Sequence, residues 1–210
     1  CFCPDIKRCN EMKSLFLFLL VGFWTLETVF GQYPALAEAA CQIENPAIQY
    51  DPSYFRISYP NGDVPVDKGV CTDVVIRAYR KLGIDLQKNV HEDMKANFGR
   101  YPKNWGLTRP DPNIDHRRVP NLMTFFSRYG EVLEITDRPE DYKQGDIVCW
   151  DLGRGILHIG IVSNVASKEQ VPDSNNRLLM MHNIGAGQVL EDCLFDWKII
   201  GHYRYFGEVE

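Results

Sequence analysis

The order of hydrophobic patterns along the chain is the feature that most limits its fold. Between residues 74 and 130, apolar residues recur every three or four positions, which is the spacing of amphipathic helices. From residue 145 onward, the chain instead contains short runs of β-type residues separated by turn residues. Helices followed by a block of strands predict an α+β fold, in which N-terminal helices pack on a C-terminal antiparallel β-sheet.

The repeated apolar positions also predict where each element lies. The first helix contains Val74 and ends at Gly83, since glycine is a common helix stop. A second helix is predicted over Asn89–Gly99, and a third runs from Pro120, a favoured first helical residue, to Gly130. The predicted strands are Asp146–Trp150, His158–Val162, Leu178–His182, Val189–Phe195 and Ile199–Phe206.

The first forty residues differ from the rest of the chain. A basic residue at Lys13 precedes the ten-residue apolar run Leu15–Trp24, and the small residues of Ala35–Ala37 follow. This order is typical of a secretory signal peptide. We therefore predict an upstream extension and signal peptide over residues 1–37, and a single domain over residues 38–210 that is secreted or periplasmic, in the bacterial cell envelope.

A membrane anchor and a lipoprotein signal are the alternatives for this leader. The apolar run is shorter than the ~20 residues that a membrane span needs, so no stable membrane span is expected after cleavage. Lipoprotein processing would occur at Cys41, but Glu38 occupies a position where such signals usually carry an aliphatic residue.

The charge of the chain limits its partners. The net charge is −5 at pH 7, and no run of basic residues occurs. Because nucleic-acid binding depends on basic surfaces, no nucleic-acid partner is predicted. Six acidic and imidazole side chains could hold a metal: His91, Glu92, Asp93, Asp111, Asp115 and His116. Their spacing matches no known metal motif, so no metal and no cofactor are predicted.

Four cysteines follow the predicted leader, namely Cys41, Cys71, Cys149 and Cys193. Disulfides persist in exported proteins, but the sequence does not fix the pairing, and a bridge between Cys41 and Cys193 stays open. Cys149 lies in a strand-like run and is predicted to pack in the core.

Cys71 stands at the start of the first predicted helix. Unpaired backbone N–H groups and the positive end of the helix dipole favour a thiolate there. We therefore predict a lowered pKa and a nucleophilic role for Cys71. The alternative is a small buried residue, because position 71 shares a helix face with Val74 and Val75.

A thiol nucleophile needs a base, and two histidines are placed to supply and orient one. His158 opens an apolar strand pattern, and His182 ends the next apolar run. His182 could fix the tautomer and orientation of His158. Asn183 is the alternative, and only one of the two should face His158, because side chains alternate along a strand. His202, in the last strand, is predicted to be structural.

Four motifs follow one another in the order found in the NlpC-type cell-wall cysteine peptidases. They are Cys71–Ile84, Gly145–Trp150, His158–Val162 and Leu179–His182. On these motifs the chain resembles that family, which implies a papain-like fold and cleavage of peptide bonds in peptidoglycan stems. The resemblance also implies that Cys71 is the nucleophile, His158 the base and His182 the orienting residue.

The chain resembles more closely a family of secreted bacterial proteins described only as a domain of unknown function. The motifs that carry this resemblance are Tyr59–Asp63, Gly69–Asp73, His91–Met94, Asp111–Asn121 and His182–Gly187. Two features differ from the peptidase pattern. Val70 precedes the cysteine where an aspartate is usual, and a long insertion runs from Asp85 to Tyr142.

Four polar residues are predicted to bind substrate. Arg117 or Arg118 could clamp a substrate carboxylate with its planar guanidinium group, and a peptidoglycan stem offers several carboxylates. The alternative for both arginines is a solvated loop with local ion pairs. Asp73 and Asn183 complete the predicted set.

The function predicted from these residues is a secreted thiol hydrolase that cleaves amide or peptide bonds through a Cys-His-His triad. Its predicted partner is a peptidoglycan peptide or a related small peptide. The alternative is a non-catalytic envelope protein of the same fold that binds a cell-wall peptide or a protein partner. A thiol-disulfide enzyme is not favoured, because residues 38–210 contain no Cys-x-x-Cys pair.

Overall fold

The computed structural model describes residues 34–168 and 177–207, and it places the long helices before the main sheet, as the sequence predicts. Residues 34–41 form helix α1. The other α-helices of the described chain are α2 (Cys71–Lys81), α3 (Leu86–Asn97) and α4 (Val119–Tyr129). Short 3-10 turns occupy Phe98–Arg100, Asn104–Gly106, Asp115–Arg117 and Pro139–Asp141.

Most of the strands form one antiparallel sheet. Its strands are β3 (Glu131–Val132), β4 (Ile147–Asp151), β5 (Leu157–Ala166), β6 (Leu178–His182), β7 (Val189–Glu191) and β8 (Lys198–Arg204). Their order across the sheet is β3-β8-β4-β5-β6-β7, and the registered pairs are antiparallel. A separate parallel pair joins β1 (Gln49–Tyr50) to β2 (Lys68–Gly69). The predicted α+β class with an antiparallel sheet is therefore confirmed.

Several element bounds differ from the prediction by a few residues, including strand β5, which continues to Ala166, and two of the differences have clear local causes. Helix α3 begins earlier, at Leu86, because Asp85 caps it and accepts a hydrogen bond from the Lys88 N–H at 3.2 Å. Strand β7 ends earlier, at Glu191, because the chain turns there and the Cys193 carbonyl accepts a backbone hydrogen bond at 3.2 Å. Periodicity located both elements, and the capping and turn contacts set their ends.

Side chains alternate between the two faces of the sheet, and each face has its own core. The face toward α2 and α4 carries Ile147, Cys149, Ile159, Ile161 and Met181. The opposite face carries Val148, Trp150, Val162 and Met180, which pack against Tyr142, Cys193 and Leu194. Cys149 is fully buried, which confirms its predicted place in the core.

Buried polar contacts hold the start of helix α2. The Asp73 carboxylate accepts a hydrogen bond from the Val70 N–H at 2.7 Å, which satisfies one of the free donors of the helix N-terminus. Asp73 also accepts a hydrogen bond from Arg117 Nε at 2.9 Å, and the two side chains are 2% and 1% exposed. Because α2 packs along β5 and β6, its first residue lies where the helix meets the sheet.

A second buried carboxylate joins α3 to α4. Arg128 Nε donates to Asp93 at 2.7 Å, and the hydroxyls of Tyr101 and Tyr129 donate to it at 2.6 and 2.7 Å. Burial works to raise the pKa of Asp93, but these donors outweigh it, so the pKa is lowered. The oxygens of this candidate metal ligand are therefore occupied by protein donors.

The predicted leader falls largely outside the described residues, since residues 1–33 are not among them. Leu36 and Ala37 are described and buried, and Leu36 belongs to the main core cluster. Cleavage after Ala37 would remove this core side chain, and the cleavage position stays a prediction. Within the described residues, no helix combines the length and apolar character that a membrane crossing requires.

Replacing Asp93 by Asn should lower the free energy of unfolding by on the order of 3 kcal/mol, because an amide cannot balance the Arg128 charge. Since the folded pKa lies below the unfolded value, the carboxylate stabilises the fold above the unfolded pKa and loses this effect as the pH falls through the folded pKa. The difference between the two proteins should be constant near neutral pH and shrink below about pH 4. Urea denaturation followed by circular dichroism measures it.

The neighbouring Glu92→Gln variant is the matched control. Glu92 is exposed and accepts a single hydrogen bond, from the Tyr59 hydroxyl at 3.3 Å, so its loss should cost less than about 1 kcal/mol. If Asp93→Asn were as stable as Glu92→Gln at neutral pH, the bond network around Asp93 would not hold the two helices together.

Candidate active site

Cys71 is the first residue of helix α2 and lines a cavity of about 230 Å³. Tyr50, Trp105, Arg118 and Leu157 also line this cavity. The residue is only 4% exposed and belongs to the main core cluster. The predicted position of Cys71 in the first turn of a helix is confirmed. Cys71 is also buried, so the two alternative interpretations of this residue describe its structure equally well.

Burial decides the charge of the Cys71 thiol. It raises the pKa to about 12, and the charge of Asp73 acts in the same direction. The nearby backbone N–H groups of Ile159, Thr72 and Cys71 itself act in the opposite direction and favour the thiolate, but less strongly. The predicted lowering of the pKa is therefore wrong, because the loss of hydration outweighs the effect of the helix N-terminus. The resting sulfur is a neutral thiol at pH 7.

The two predicted histidines are directly hydrogen bonded. His158 Nε2 lies 2.8 Å from His182 Nδ1, and His182 Nε2 lies 2.8 Å from Glu191 Oε2. We call these three side chains the histidine relay. The choice between His182 and Asn183 as the residue that orients His158 is thus resolved in favour of His182.

The carboxylate at one end of the histidine relay sets the proton positions along it. A carboxylate can only accept, so His182 carries its proton on Nε2 and donates it to Glu191. The Nδ1 atom of His182 then accepts the proton of His158 Nε2. His158 Nδ1 is left with a lone pair, and it has no hydrogen-bond partner among the described residues.

Aromatic packing and burial keep the His158 ring in place and neutral. The ring stacks on Trp150 with centroids 5.5 Å apart, and it meets the edge of Trp197 at 5.8 Å. Burial, together with the nearby His182, lowers the pKa of His158 to about 3. Burial also lowers the pKa of His182. Both rings are therefore neutral at pH 7, as a general base must be before it accepts a proton.

Cys71 and His158 lie on opposite faces of the sheet near the start of strand β5. The Cys71 sulfur lies near the backbone of Ile159, the residue that follows His158, while the His158 ring is directed to the face that carries Trp150. The registered pairs of β5 with β6 begin only at Ile161. No hydrogen bond joins the sulfur to the ring in the described structure, so the expected direct thiol–imidazole contact is not formed in this state.

Two of the predicted substrate-binding residues are bound to each other instead. Arg117 Nε and Nη2 donate to the two Asp73 oxygens at 2.9 and 3.0 Å. The remaining Arg117 donors reach the carbonyls of Ser53 at 3.0 Å and Asp51 at 3.3 Å. The predicted substrate role of Asp73 and Arg117 is corrected here, because their charged groups serve a buried internal ion pair.

Asn183 is also used internally. Its Nδ2 donates to the Gly69 carbonyl at 3.4 Å, and its Oδ1 accepts the Gly185 N–H at 3.0 Å. The side chain is fully buried. Asn183 therefore connects the turn after β6 to the segment before Cys71, and its predicted role in binding substrate is corrected to a structural one.

Arg118 is the predicted substrate residue that keeps a free donor. Its guanidinium group lies 4.5 Å from the centre of the Trp105 ring. The Nη1 atom is buried and has no hydrogen-bond partner among the described residues. Burial lowers the pKa of Arg118. A cation with an unused donor thus lines the same cavity as Cys71.

The metal candidates named from sequence do not converge on one point. His91 Nδ1 lies 3.4 Å from Asp115 Oδ2, and that oxygen also accepts the Asp111 N–H at 2.6 Å. Asp93 belongs to the separate cluster with Arg128. His116 is buried, and burial lowers its pKa to about 3.

A different group of metal-type donors does converge within the described residues. It consists of His182, Glu191 and Cys193, whose ligand atoms all lie within 4.8 Å of one another. Sequence reasoning missed Glu191 and Cys193. The available signal was that both stand two positions apart in the run predicted to form the strand after His182.

The remaining predictions concern single residues. His202 is structural as predicted, because its Nε2 lies 2.7 Å from the buried Asp146 and its Nδ1 lies 3.0 Å from the Glu134 carbonyl. The four described cysteines are free thiols. The open possibility of a bridge between Cys41 and Cys193 is not realised, and the Cys41 thiol instead donates to Asn164 Oδ1 at 3.2 Å.

Together, fold and site define an α+β protein in which a buried cysteine lines a cavity and a histidine–carboxylate relay runs through the neighbouring strands of the sheet. The chain matches the family described as a domain of unknown function (DUF1287) over residues 36–205, and it belongs to that family, as predicted. It is 52% identical over 172 residues to a protein of Escherichia coli (strain K12) described as uncharacterized protein YijF; these residues make up 82% of this chain and 81% of that protein. No solved structure matches the chain.

Replacing Asp73 by Asn should destabilise the fold by about 3–5 kcal/mol, because it leaves the Arg117 charge buried without a counter-charge. Asp141→Asn is the matched control, since its partner Arg138 is 62% exposed and pairs on the surface contribute little to stability. Chemical denaturation of both variants measures the two costs. If both variants lost the same free energy of unfolding, the Asp73 carboxylate would not be needed for the buried ion pair and could bind a ligand.

Proposed function

We propose that the protein is an exported thiol hydrolase that cleaves amide or peptide bonds, with Cys71 as nucleophile and His158 as base. One observation carries the proposal. The histidine relay ends at His158 in strand β5, and Cys71 begins the helix α2 that packs on the same strand. A papain-like fold of the NlpC type is part of the proposal, and the four sequence motifs support it.

The attack step starts from a neutral thiol and a neutral imidazole. As the Cys71 sulfur bonds to the substrate carbonyl carbon, His158 Nδ1 takes the thiol proton, and the carbonyl electron pair moves to the oxygen. The resulting positive charge on His158 is shared along the relay, because His182 can accept the Nε2 proton while Glu191 accepts from His182. The step requires a rearrangement that brings the Cys71 sulfur to His158 Nδ1, because no hydrogen bond joins them in the described structure and the His158 ring faces Trp150 on the other side of the sheet.

The second half of the reaction releases both products. The tetrahedral species collapses, the amine leaves with the proton from His158, and a thioester remains on Cys71. A water molecule then attacks the thioester with His158 as base, which yields a carboxylic acid and restores the thiol. The proposed donors to the developing oxyanion are the backbone N–H groups of Cys71, Thr72 and Ile159, which lie near the sulfur. The Lys68 and Val70 N–H groups are not available for this role, because they bond to Pro65 and Asp73.

The cavity wall indicates the class of substrate. Arg118 offers its unused donor to an anionic group, and Tyr50 and Trp105 provide aromatic walls. We propose a peptide that carries a free carboxylate near the cleaved bond, and the stem peptides of peptidoglycan meet this requirement. Export to the periplasm would bring the protein to that substrate.

A second candidate function is a non-catalytic envelope protein that binds the same kind of peptide. The raised pKa of Cys71 and the absence of a direct thiol–ring hydrogen bond in the described structure favour it. Under this alternative, Arg118 and the cavity bind a ligand, while Cys71 only packs in the core. Measurement of substrate turnover distinguishes the two functions. The rate of Cys71 alkylation below pH 7 does not distinguish them, because a neutral buried thiol is expected to react slowly in either case.

Replacing Cys71 by Ala should reduce hydrolysis of muropeptides by at least about a thousandfold, since nucleophile removal has effects of this size or larger. Mass spectrometry of muropeptides incubated with each protein measures the products. Cys41→Ser removes a thiol outside the site and should leave turnover unchanged. Hydrolysis that survives in a correctly folded Cys71→Ala protein, as judged by circular dichroism, would eliminate the hydrolase proposal.

Replacing Arg118 by Gln should raise KM about tenfold to a hundredfold with little change in kcat, because a charge-assisted hydrogen bond to bound substrate contributes about 1.5–3 kcal/mol. Arg109→Gln alters an exposed arginine of the same segment and should leave KM unchanged. A substrate whose carboxylate is amidated should show no difference between wild type and Arg118→Gln. If Arg118→Gln raised KM equally for the amidated and the free substrate, Arg118 would not bind the carboxylate.

A further inference from the structure

Three side chains next to the proposed base have the geometry of a transition-metal site. His182 Nε2 lies 3.6 Å from Cys193 Sγ and 2.8 Å from Glu191 Oε2, and the three ligand atoms lie within 4.8 Å of one another. His182 and Cys193 are buried, whereas the Glu191 side chain is 42% exposed. The group is therefore preformed on its inner side and open to solvent on one side.

One of the two separations matches that of ligands around zinc, and the other is shorter. Typical Zn–S and Zn–N distances in a tetrahedral site place a sulfur and a nitrogen ligand about 3.5 Å apart, close to the observed 3.6 Å between Cys193 Sγ and His182 Nε2. Typical Zn–O and Zn–N distances place oxygen and nitrogen about 3.4 Å apart. The Glu191 oxygen would have to move outward by roughly 0.6 Å to reach that separation, and its exposed side chain allows this movement.

The local charges and the donor types both favour a divalent cation. The carboxylates of Glu191, Asp196 and Asp192 all act electrostatically on the Cys193 thiol, so the group lies in a negative field. A thiolate, an imidazole and a carboxylate together suit Zn²⁺ better than Mg²⁺ or Ca²⁺, which prefer oxygen alone. Three protein ligands leave a fourth position for water.

We propose that a zinc-class divalent ion binds His182 Nε2, Glu191 and Cys193 Sγ, and that its binding reverses the proton order of the histidine relay. This site shares His182 with the proposed triad, adds Glu191 and Cys193, and was not expected from the sequence spacing. The effect on catalysis rests on the proposed hydrolase function, whereas metal binding and the change of proton order do not.

The reversal follows from the two nitrogens of one imidazole ring. A metal on His182 Nε2 needs the lone pair of that atom, so the ring proton must move to Nδ1. His182 Nδ1 then donates to His158 Nε2, which lies 2.8 Å away and becomes the acceptor. The proton of His158 consequently moves to Nδ1, the atom that should accept the Cys71 proton. The metal-bound protein thus has no base on the Cys71 side, and we expect the ion to switch hydrolysis off.

Binding is tested with Co²⁺ as the probe, followed by its displacement with Zn²⁺. The metal-free protein should bind one Co²⁺ and develop the intense thiolate-to-cobalt absorption of a cysteine ligand. Cys193→Ser should lose this absorption and bind at least about tenfold more weakly, since even outer-shell changes at metal sites have effects of this size. Cys41→Ser is the matched thiol control and should bind like wild type. Equal binding by Cys193→Ser and wild type, or no binding at all, would overturn the inference and leave the hydrolase proposal untouched.

The proton order is tested by nitrogen-15 NMR of the histidine rings. Zn²⁺ should move the His158 Nδ1 signal from the unprotonated to the protonated range in wild type and in Cys41→Ser, but not in Cys193→Ser. Zn²⁺ should also suppress muropeptide hydrolysis at least about tenfold in wild type, with no such zinc effect in Cys193→Ser. A bound metal that leaves the His158 signal in place would refute the switch. Hydrolysis absent both with and without zinc would refute the hydrolase proposal, while the ring signals would still decide this inference.

Discussion

The buried ion pair between Asp73 and Arg117 is the interaction on which the rest of the site depends. Asp73 fixes the first turn of α2 through the Val70 N–H, so it determines where Cys71 lies. Arg117 extends the same network to the carbonyls of Ser53 and Asp51. One guanidinium group thereby connects the helix start, the loop after β1 and the segment before α4. These three segments contribute residues to the cavity wall. The charged groups of Asp73 and Arg117 therefore hold the wall together, although in the sequence they resemble ligand-binding groups.

Local periodicity was enough to predict the three longest helices, the main strands and part of the site, but not helix α1 or the short strands β1, β2 and β3. The strand that opens at His158 and the strand that ends at His182 are neighbours in the sheet, and their two rings meet because consecutive antiparallel strands usually pair. Cys71 occupies the predicted helix start because the apolar spacing and Gly83 define that helix. In each case the prediction depends only on residues close in sequence to the predicted position, or on the order of adjacent strands.

Long-range partners account for what the sequence could not predict. Asp73 and Arg117 are 44 residues apart, and a carboxylate or guanidinium has the same appearance in a sequence whether it faces a ligand or an internal partner. Arg118, next to Arg117, meets Trp105 and the cavity instead. The charge of Cys71 was mispredicted for a related reason. A helix N-terminus is visible in the sequence, but the packing of α2 on β5, which removes water from the sulfur, is not.

For the proposed hydrolase, burial at the site means that charge would separate in the transition state and not in the resting protein. A thiol whose pKa is raised to about 12 and an imidazole whose pKa is lowered to about 3 do not form an ion pair in the free protein. Charge separation then requires that the sulfur bond to a carbonyl carbon, which moves the negative charge to an oxygen within reach of the backbone N–H groups. The same low-polarity surroundings strengthen those hydrogen bonds and the positive charge sharing with Glu191. A buried neutral cysteine at a helix start is thus compatible with nucleophilic chemistry, provided that the substrate itself excludes the remaining water.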